Sequence, residues 1–313
     1  MHRHRGGITL LLKVLLIVLI DALQLCIFLL LLSDTTAKGP SSTLRTEPAF
    51  LMSLLILLAS TASLSCCPST QQTLNQFDLA VDVGCGSGQG TIPLAPYFTK
   101  VVGTDVSPAQ LEMAVVNNNP PNVSYRECPA EDLPFASGEV DLLTAMTAAH
   151  WFDRKRFLLE ADRVLRPGGC LALLSYTMYL ELEYAGVSNT TLNDICKEFY
   201  AGFRPYRNPY LGKCSVKIYS DLFDSCTYPD KEWNDCLRVK RILPLTKYFR
   251  MVETFSTFQN LVKKDPAEAE RLSNDIMNKL MSAMKVSSPD AEVTVVVKYF
   301  YWLARKPCSV NGK

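Results

Sequence analysis

Four short runs hold most of the residues able to do chemistry, and each follows a short apolar stretch. The first is Asp82-Val83-Gly84-Cys85-Gly86-Ser87-Gly88-Gln89-Gly90. Glycines at alternate positions let a backbone turn sharply and approach a ligand without Cβ clashes. The spacing excludes a dinucleotide fingerprint: counted from Gly84, the last glycine of G-x-G-x-x-G falls on Gln89, and counted from Gly86 it falls on Thr91. The Lys-Ser/Thr of a P-loop is also missing. A carboxylate beside such a loop suits a ligand carrying an ammonium group rather than a pyrophosphate. Asp82, Gly84, Cys85, Gly86 and Gly88 are therefore candidate binding residues.

The second run ends in Asp105-Val106, where an acid can accept both hydroxyls of a ribose. A helix-capping role for Asp105 is the plainer reading, although Ser107-Pro108 offers a better cap. The third is Cys128-Pro129-Ala130-Glu131-Asp132-Leu133-Pro134-Phe135, where backbone N–H groups and Glu131 can read an adenine edge or simply form a solvated acidic loop. The fourth extends over residues 144–153 and includes Thr147 and His150. It should line the ligand pocket. His150 is the one histidine outside the N-terminal tail, and it reads as a general base, a polar pocket wall or a packing residue.

These runs need elements to hold them. Apolar stretches at 77–83, 100–104, 123–127, 140–145 and 170–176 predict strands, and helices are expected at 91–97, 108–117 and 154–164. Arg166-Pro167-Gly168-Gly169 reads as a helix stop. Such β-α repetition implies an α/β fold with a parallel sheet covered by helices. Ligands bind such sheets beyond the carboxyl ends of the strands, where all four runs fall. Apolar residues at helical spacing over 251–285 are interrupted at Lys264-Asp265-Pro266 and read as packing helices.

Composition narrows the possibilities. The chain has 313 residues, 48% hydrophobic and 20% charged, with a formal net charge of +1. No global basic field is present to recruit nucleic acid, so no nucleic-acid partner is expected. The 11 cysteines include no C-x-x-C pair, and with three histidines in all, two of them His2 and His4, no metal site is expected. Unpaired cysteines in apolar runs suit a reducing, cytoplasmic compartment.

The first 76 residues are a different kind of sequence. An apolar run from Ile8 to Leu32, broken by Lys13, Asp21 and Gln24, is long enough for a bilayer span. It reads as a membrane anchor, a signal-type segment or no selected element at all. A second apolar run covers 50–64 and a polar linker 65–76. The sequons at Asn122 and Asn189 become acceptors only in a secretory lumen.

Asp82-Val83-Gly84-Cys85-Gly86-Ser87-Gly88, Asp105, Ala130-Glu131-Asp132-Leu133-Pro134, Ala149-His150-Trp151-Phe152-Asp153 and Leu165-Arg166-Pro167-Gly168-Gly169 stand in the order of class I S-adenosylmethionine-dependent methyltransferases. More narrowly, the chain resembles the type 11 group and its eukaryotic trans-aconitate methyltransferase-like branch. The resemblance covers 77–306 and implies a seven-stranded, mostly parallel Rossmann-like sheet closed by an antiparallel last strand. Residues 292–304 are the candidate for that strand and 236–243 for its hairpin partner. It also implies S-adenosylmethionine as cofactor, with Asp82, Gly84, Cys85, Gly86 and Gly88 around its methionine portion, Asp105 and Val106 at the ribose, and Ala130 and Glu131 at adenine. Thr147 and His150 complete the expected pocket. The stretch 176–235, with Arg204, Tyr206, Arg207 and Tyr210, should build the site of a small-molecule acceptor, since arginine forks suit carboxylates. Two functions compete: methyl transfer to a small acceptor, and a non-catalytic cofactor-binding scaffold tethered by its N-terminus.

Overall fold

Five apolar runs form a parallel sheet: β1 Phe77–Val83, β2 Phe98–Asp105, β3 Val123–Glu127, β4 Val140–Met146 and β5 Leu165–Tyr176. The computed structural model describes residues 77–211 and 215–308. β4 is buried at every position, as a strand covered on both faces must be. The last strand, β8 Glu292–Arg305, runs antiparallel to β5, from Cys170↔Arg305 to Tyr176↔Tyr299. Its other side is lined by β7 Asp230–Pro244, the edge strand. The spatial order is β3-β2-β1-β4-β5-β8, with β7 outermost. The direction of strand succession reverses between β1 and β4, which opens a crevice at their carboxyl ends.

Helices cover both faces: α1 Pro108–Val116, α2 Arg154–Val164, α3 Asn189–Phe203, α4 Ser215–Ser225, α5 Leu245–Glu253, α6 Ser256–Lys264 and α7 Pro266–Met284. Alternation along β8 divides the core in two. Val295, Val297, Tyr299, Tyr301 and Leu303 pack with α3, α5, α6 and α7, while Phe300, Trp302 and Ala304 pack with α2 and α4. Helix α2 offers Phe157, Ala161 and Val164 to the sheet and is capped by Asp153, whose carboxylate accepts from Arg156 N. Asp265 caps α7 in the same way, with Pro266 at its first turn, so the expected break there is a cap between two helices.

Several expectations shift. The helix expected at 91–97 is a 3-10 helix, Ile92–Tyr97, because Pro93 and Pro96 withhold amide donors from an α-helical ladder. α2 ends at Val164, as the stop signal implies, but the glycine run that follows is already part of a strand. β5 begins at Leu165 directly after the helix, with a register shift between Val140 and Leu142 of β4 absorbing the irregular start. An eighth strand joins the expected seven: β6 Glu181–Glu183, which pairs with Thr294–Val296 of β8 beyond the end of β5. Among the described residues no helix is long and apolar enough to cross a membrane. The runs at 8–32 and 50–64 lie outside the described residues.

One buried acid ties the amino end of the sheet. Asp141 accepts from Asp78 N (3.0 Å) and Leu79 N (2.8 Å) and pairs with Arg166 at 2.5 Å. Removing a buried partner leaves the others unpaired. Asp141→Ala is therefore expected to cost about 2–4 kcal/mol, read as a lower urea midpoint at unchanged m-value.

Candidate active site

The glycine loop is built on a carboxylate it conceals. Asp82, 1% exposed, is the last but one residue of β1 and accepts from Thr91 Oγ1 (2.8 Å) and Thr144 Oγ1 (2.9 Å). The acid expected to face a ligand's ammonium thus supports the loop from beneath. Burial pushes its carboxyl up to about 6; the two hydroxyls pull it back, and the Asp105 charge adds to the rise. Gly84 N and Cys85 N both donate to Thr104 O of β2, at 2.7 and 2.9 Å. Cys85 is itself buried, and its thiol is driven up by desolvation and by the Asp82 and Asp105 charges, so it is an inert packing group.

Two glycines show what the loop requires. At Gly88 (φ +87) a Cβ would run into the Tyr125 hydroxyl, which donates to Asn119 Oδ1. At Gly86 (φ +55) a Cβ would meet nothing nearer than Gln110 Oε1 at 3.6 Å. Gly86 therefore faces open space, where a ligand can approach the backbone.

Asp105 stands at the rim of that space. Its Oδ2 accepts from Gly86 N and its Oδ1 from Ser107 N, both at 2.9 Å, and each oxygen keeps a second lone pair. A ribose diol fits those lone pairs. Val106 beside it is 65% exposed, a bare apolar surface of the kind a base stacks on. The loop after β3 is held by α2: Arg163 donates to Phe135 O and Leu133 O, Glu160 accepts from Leu133 N, and Glu131 accepts from Asp153 N at 2.7 Å. Ala130 is buried within it. Backbone curvature at Gly86, spare acceptors at Asp105 and the exposed Val106 together suit an adenosine-bearing ligand. Among the described residues, no group of three His, Cys, Asp or Glu is placed to hold a metal ion.

The far side of the crevice lies at the ends of β4 and β5. Thr147 follows β4 with φ 58, a conformation strained for a β-branched residue by roughly 1–3 kcal/mol. Its amide donates to Leu174 O at 2.7 Å, while its buried Oγ1 has no partner. His150 lies in the next turn, and its buried Nδ1 also has no partner. Burial, and secondly the Arg207 charge, lower its pKa to about 4, so the imidazole is neutral at physiological pH. The ring lies 5.4 Å from Trp151 and 6.3 Å from Tyr219 of α4, centroid to centroid.

Of the arginines expected at an acceptor site, Arg207 is half-buried and donates to Met178 Sδ at 3.5 Å, whereas Arg204 is exposed. Tyr206 is half-buried, with Lys264 Nζ over its ring. Tyr210 stacks on Trp151 (6.4 Å, 3°) and donates to Trp151 O and Phe152 O. Thr91, Tyr125 and Tyr219 were not legible as site residues, since each acts through a partner distant in sequence.

Comparison with known proteins agrees with this geometry. Residues 81–173 match a family model described as a methyltransferase domain. A Saccharomyces cerevisiae protein described as an S-adenosylmethionine-dependent methyltransferase is 24% identical over 249 residues, 72% of this chain and 85% of that protein. A Dictyostelium discoideum protein described as a methyltransferase is 48% identical over 99 residues, so that this chain spans 36% of that relative's length. A Hahella chejuensis malonyl-[acyl-carrier protein] O-methyltransferase is 37% identical over 111 residues, 34% of this chain and 39% of that protein. The structure of a type II methyltransferase from Anaeromyxobacter dehalogenans is 25% identical with a TM-score of 0.59, over 74% of this chain and 91% of that one. The fold is the Rossmann-like one of class I methyltransferases, and the cofactor of the domain is S-adenosylmethionine.

Gly86→Val is expected to raise the Kd for S-adenosylmethionine at least about 100-fold while the folded circular dichroism spectrum is retained, because the added bulk enters the open space. Calorimetric titration checks this; unchanged affinity would place the cofactor elsewhere. The two shifted groups also act on stability with opposite signs. Folding takes up a proton at Asp82 between about pH 4 and 6, so its contribution falls as pH rises. Folding releases one at His150 between about pH 6.5 and 4, so its contribution rises with pH. Urea midpoints from pH 4 to 6.5 should therefore climb more steeply in Asp82→Asn than in the unmodified protein, and less steeply in His150→Gln.

Proposed function

We propose that the chain is an active S-adenosylmethionine-dependent methyltransferase that methylates an oxygen of a small carboxylic acid. One observation carries the choice of acceptor. Arg207 is half-buried, bonds to Met178 just after β5, and helps by its charge to lower the pKa of His150 to about 4. An arginine fork attracts a carboxylate and repels an ammonium group. A base so weak removes protons poorly, and a carboxylate at neutral pH has none to lose.

When bound, the cofactor supplies a methyl group on a positively charged sulfur, which leaves as a neutral thioether as an acceptor lone pair takes the methyl. The protein has to bind, align and keep water out. Arg207 binds the acid. His150 serves as a neutral polar wall whose Nδ1 awaits a partner. Trp151 and Tyr210, stacked and exposed, cover the turn that carries His150.

The Hahella relative is named for O-methylation of a malonyl group, which carries a free carboxylate, and this supports the reading. Likeness to the trans-aconitate methyltransferase-like branch points the same way. A non-catalytic scaffold would leave the buried Thr147 Oγ1 and His150 Nδ1 without purpose, at a desolvation cost. A reducing, cytoplasmic compartment suits the domain: its seven described cysteines are free, and the Asn122 amide is committed to Ala95 O and Phe98 O, where a glycan would break both bonds.

The test is a titration of S-adenosylmethionine, with NADH as control, followed by an assay of S-adenosylhomocysteine release with C4–C8 mono- and dicarboxylic acids and matched amines. Acids should turn over, with a rate flat from about pH 5.5 to 8.5. Arg207→Ala should raise the KM for the acid about 100-fold and leave the cofactor Kd unchanged. Turnover of amines in preference to acids would overturn the reading.

A further inference from the structure

We propose that Thr147 is the residue that orients the acceptor, its hydroxyl donating to the acceptor oxygen that does not receive the methyl group. The inference rests on the proposed carboxylate chemistry and assigns Thr147 to the acceptor rather than to the cofactor.

Three observations converge on it. The backbone of Thr147 lies at φ 58, where glycine or asparagine sits at ease and a β-branched residue does not. Its Oγ1 is buried without a partner, so the hydroxyl that the strained residue brings is unused by the fold. Its amide donates to Leu174 O, which pins the peptide to the end of β5 and leaves the side chain little freedom to swing away.

Its surroundings decide which ligand it serves. The adenosine part of the cofactor is accounted for by Gly86, Asp105 and Val106 on the β1–β2 side. Thr147 follows β4 instead, three residues before His150, in the turn that Tyr219 of α4 packs against. His150 Nδ1, in the same turn, is likewise buried without a partner, so two unused polar atoms stand three residues apart at the end of β4. A carboxylate gripped by a guanidinium can still rotate about its long axis. A hydroxyl donor fixed to one of its oxygens removes that freedom and leaves a lone pair of the other aimed at the methyl group. No proton changes hands.

The experiment uses the full chain with Thr147→Ser, Thr147→Val and Thr147→Gly, and the best-turned-over acid of the C4–C8 panel. Thr147→Val and Thr147→Gly should lose about 10- to 100-fold in kcat/KM for the acid, while Thr147→Ser stays within about threefold. The cofactor Kd should stay within about twofold in all three. Without any ligand, Thr147→Gly should melt a few degrees higher than the unmodified protein, since glycine releases the strain. Full activity in Thr147→Val, a cofactor Kd that rises in step with the lost activity, or no gain in Tm for Thr147→Gly would each overturn the assignment. An unmodified protein that binds the cofactor but methylates none of the acids would remove the proposed function and this inference together. An active one with an equally active Thr147→Val would remove the inference alone.

Discussion

The buried carboxylate of Asp82 is the constraint on which the site depends. An acid inside a parallel sheet is costly unless donors meet it. Here the donors are hydroxyls from two other elements, Thr91 at the exit of the glycine loop and Thr144 on β4. One side chain thus joins the end of β1, the far end of the loop and the neighbouring strand. Asp105 completes the arrangement from the other direction, since Gly86 N donates to it. The loop's curvature is held at both ends by oxygens, and its amides and open face follow from that.

From there the crevice divides into halves of different origin. The glycine-loop side comes from short loops after β1, β2 and β3, held largely by backbone contacts such as Gly84 N and Cys85 N to Thr104 O. The side at the ends of β4 and β5 is assembled from distant sequence: the turn at Ala149–Trp151, Met178 after β5 with its partner Arg207, and Tyr219 from α4. Residues between β5 and β7 can therefore change while the glycine-loop side stays as it is.

Legibility in the sequence follows the same division. Buried parallel strands are continuous apolar runs, so β1 to β5 can be read directly, as can the long apolar β8. Asp105 and the glycine loop show themselves because their chemistry is local. Thr147 is different: nothing in Ala145-Met146-Thr147-Ala148 announces a left-handed backbone, which arises when Leu174 captures its amide. The neutrality of His150 is equally hidden, because burial and Arg207 create it from far along the chain. β6 is three residues long and exists only because β8 extends past β5. Pro93 and Pro96 were visible signals for a 3-10 helix and outweigh the helical pattern around them.

The position of β8 has a consequence for biosynthesis. It is the final strand of the described chain, yet it lies between β5 and β7 and supplies the partner for both. During synthesis the first five strands can assemble while the carboxyl-side edge of the growing sheet, β5, remains bare. That edge carries Leu171 to Leu174, an apolar run with free backbone donors and acceptors, which is the kind of template that pairs with a stray strand. The nascent protein is thus exposed to mispairing over the time needed to make more than a hundred further residues, and a chaperone that shields that edge would act in this interval. The corner that holds His150 packs on Tyr219, which itself rests on Phe300 of β8, so that corner is complete only once β8 has been made.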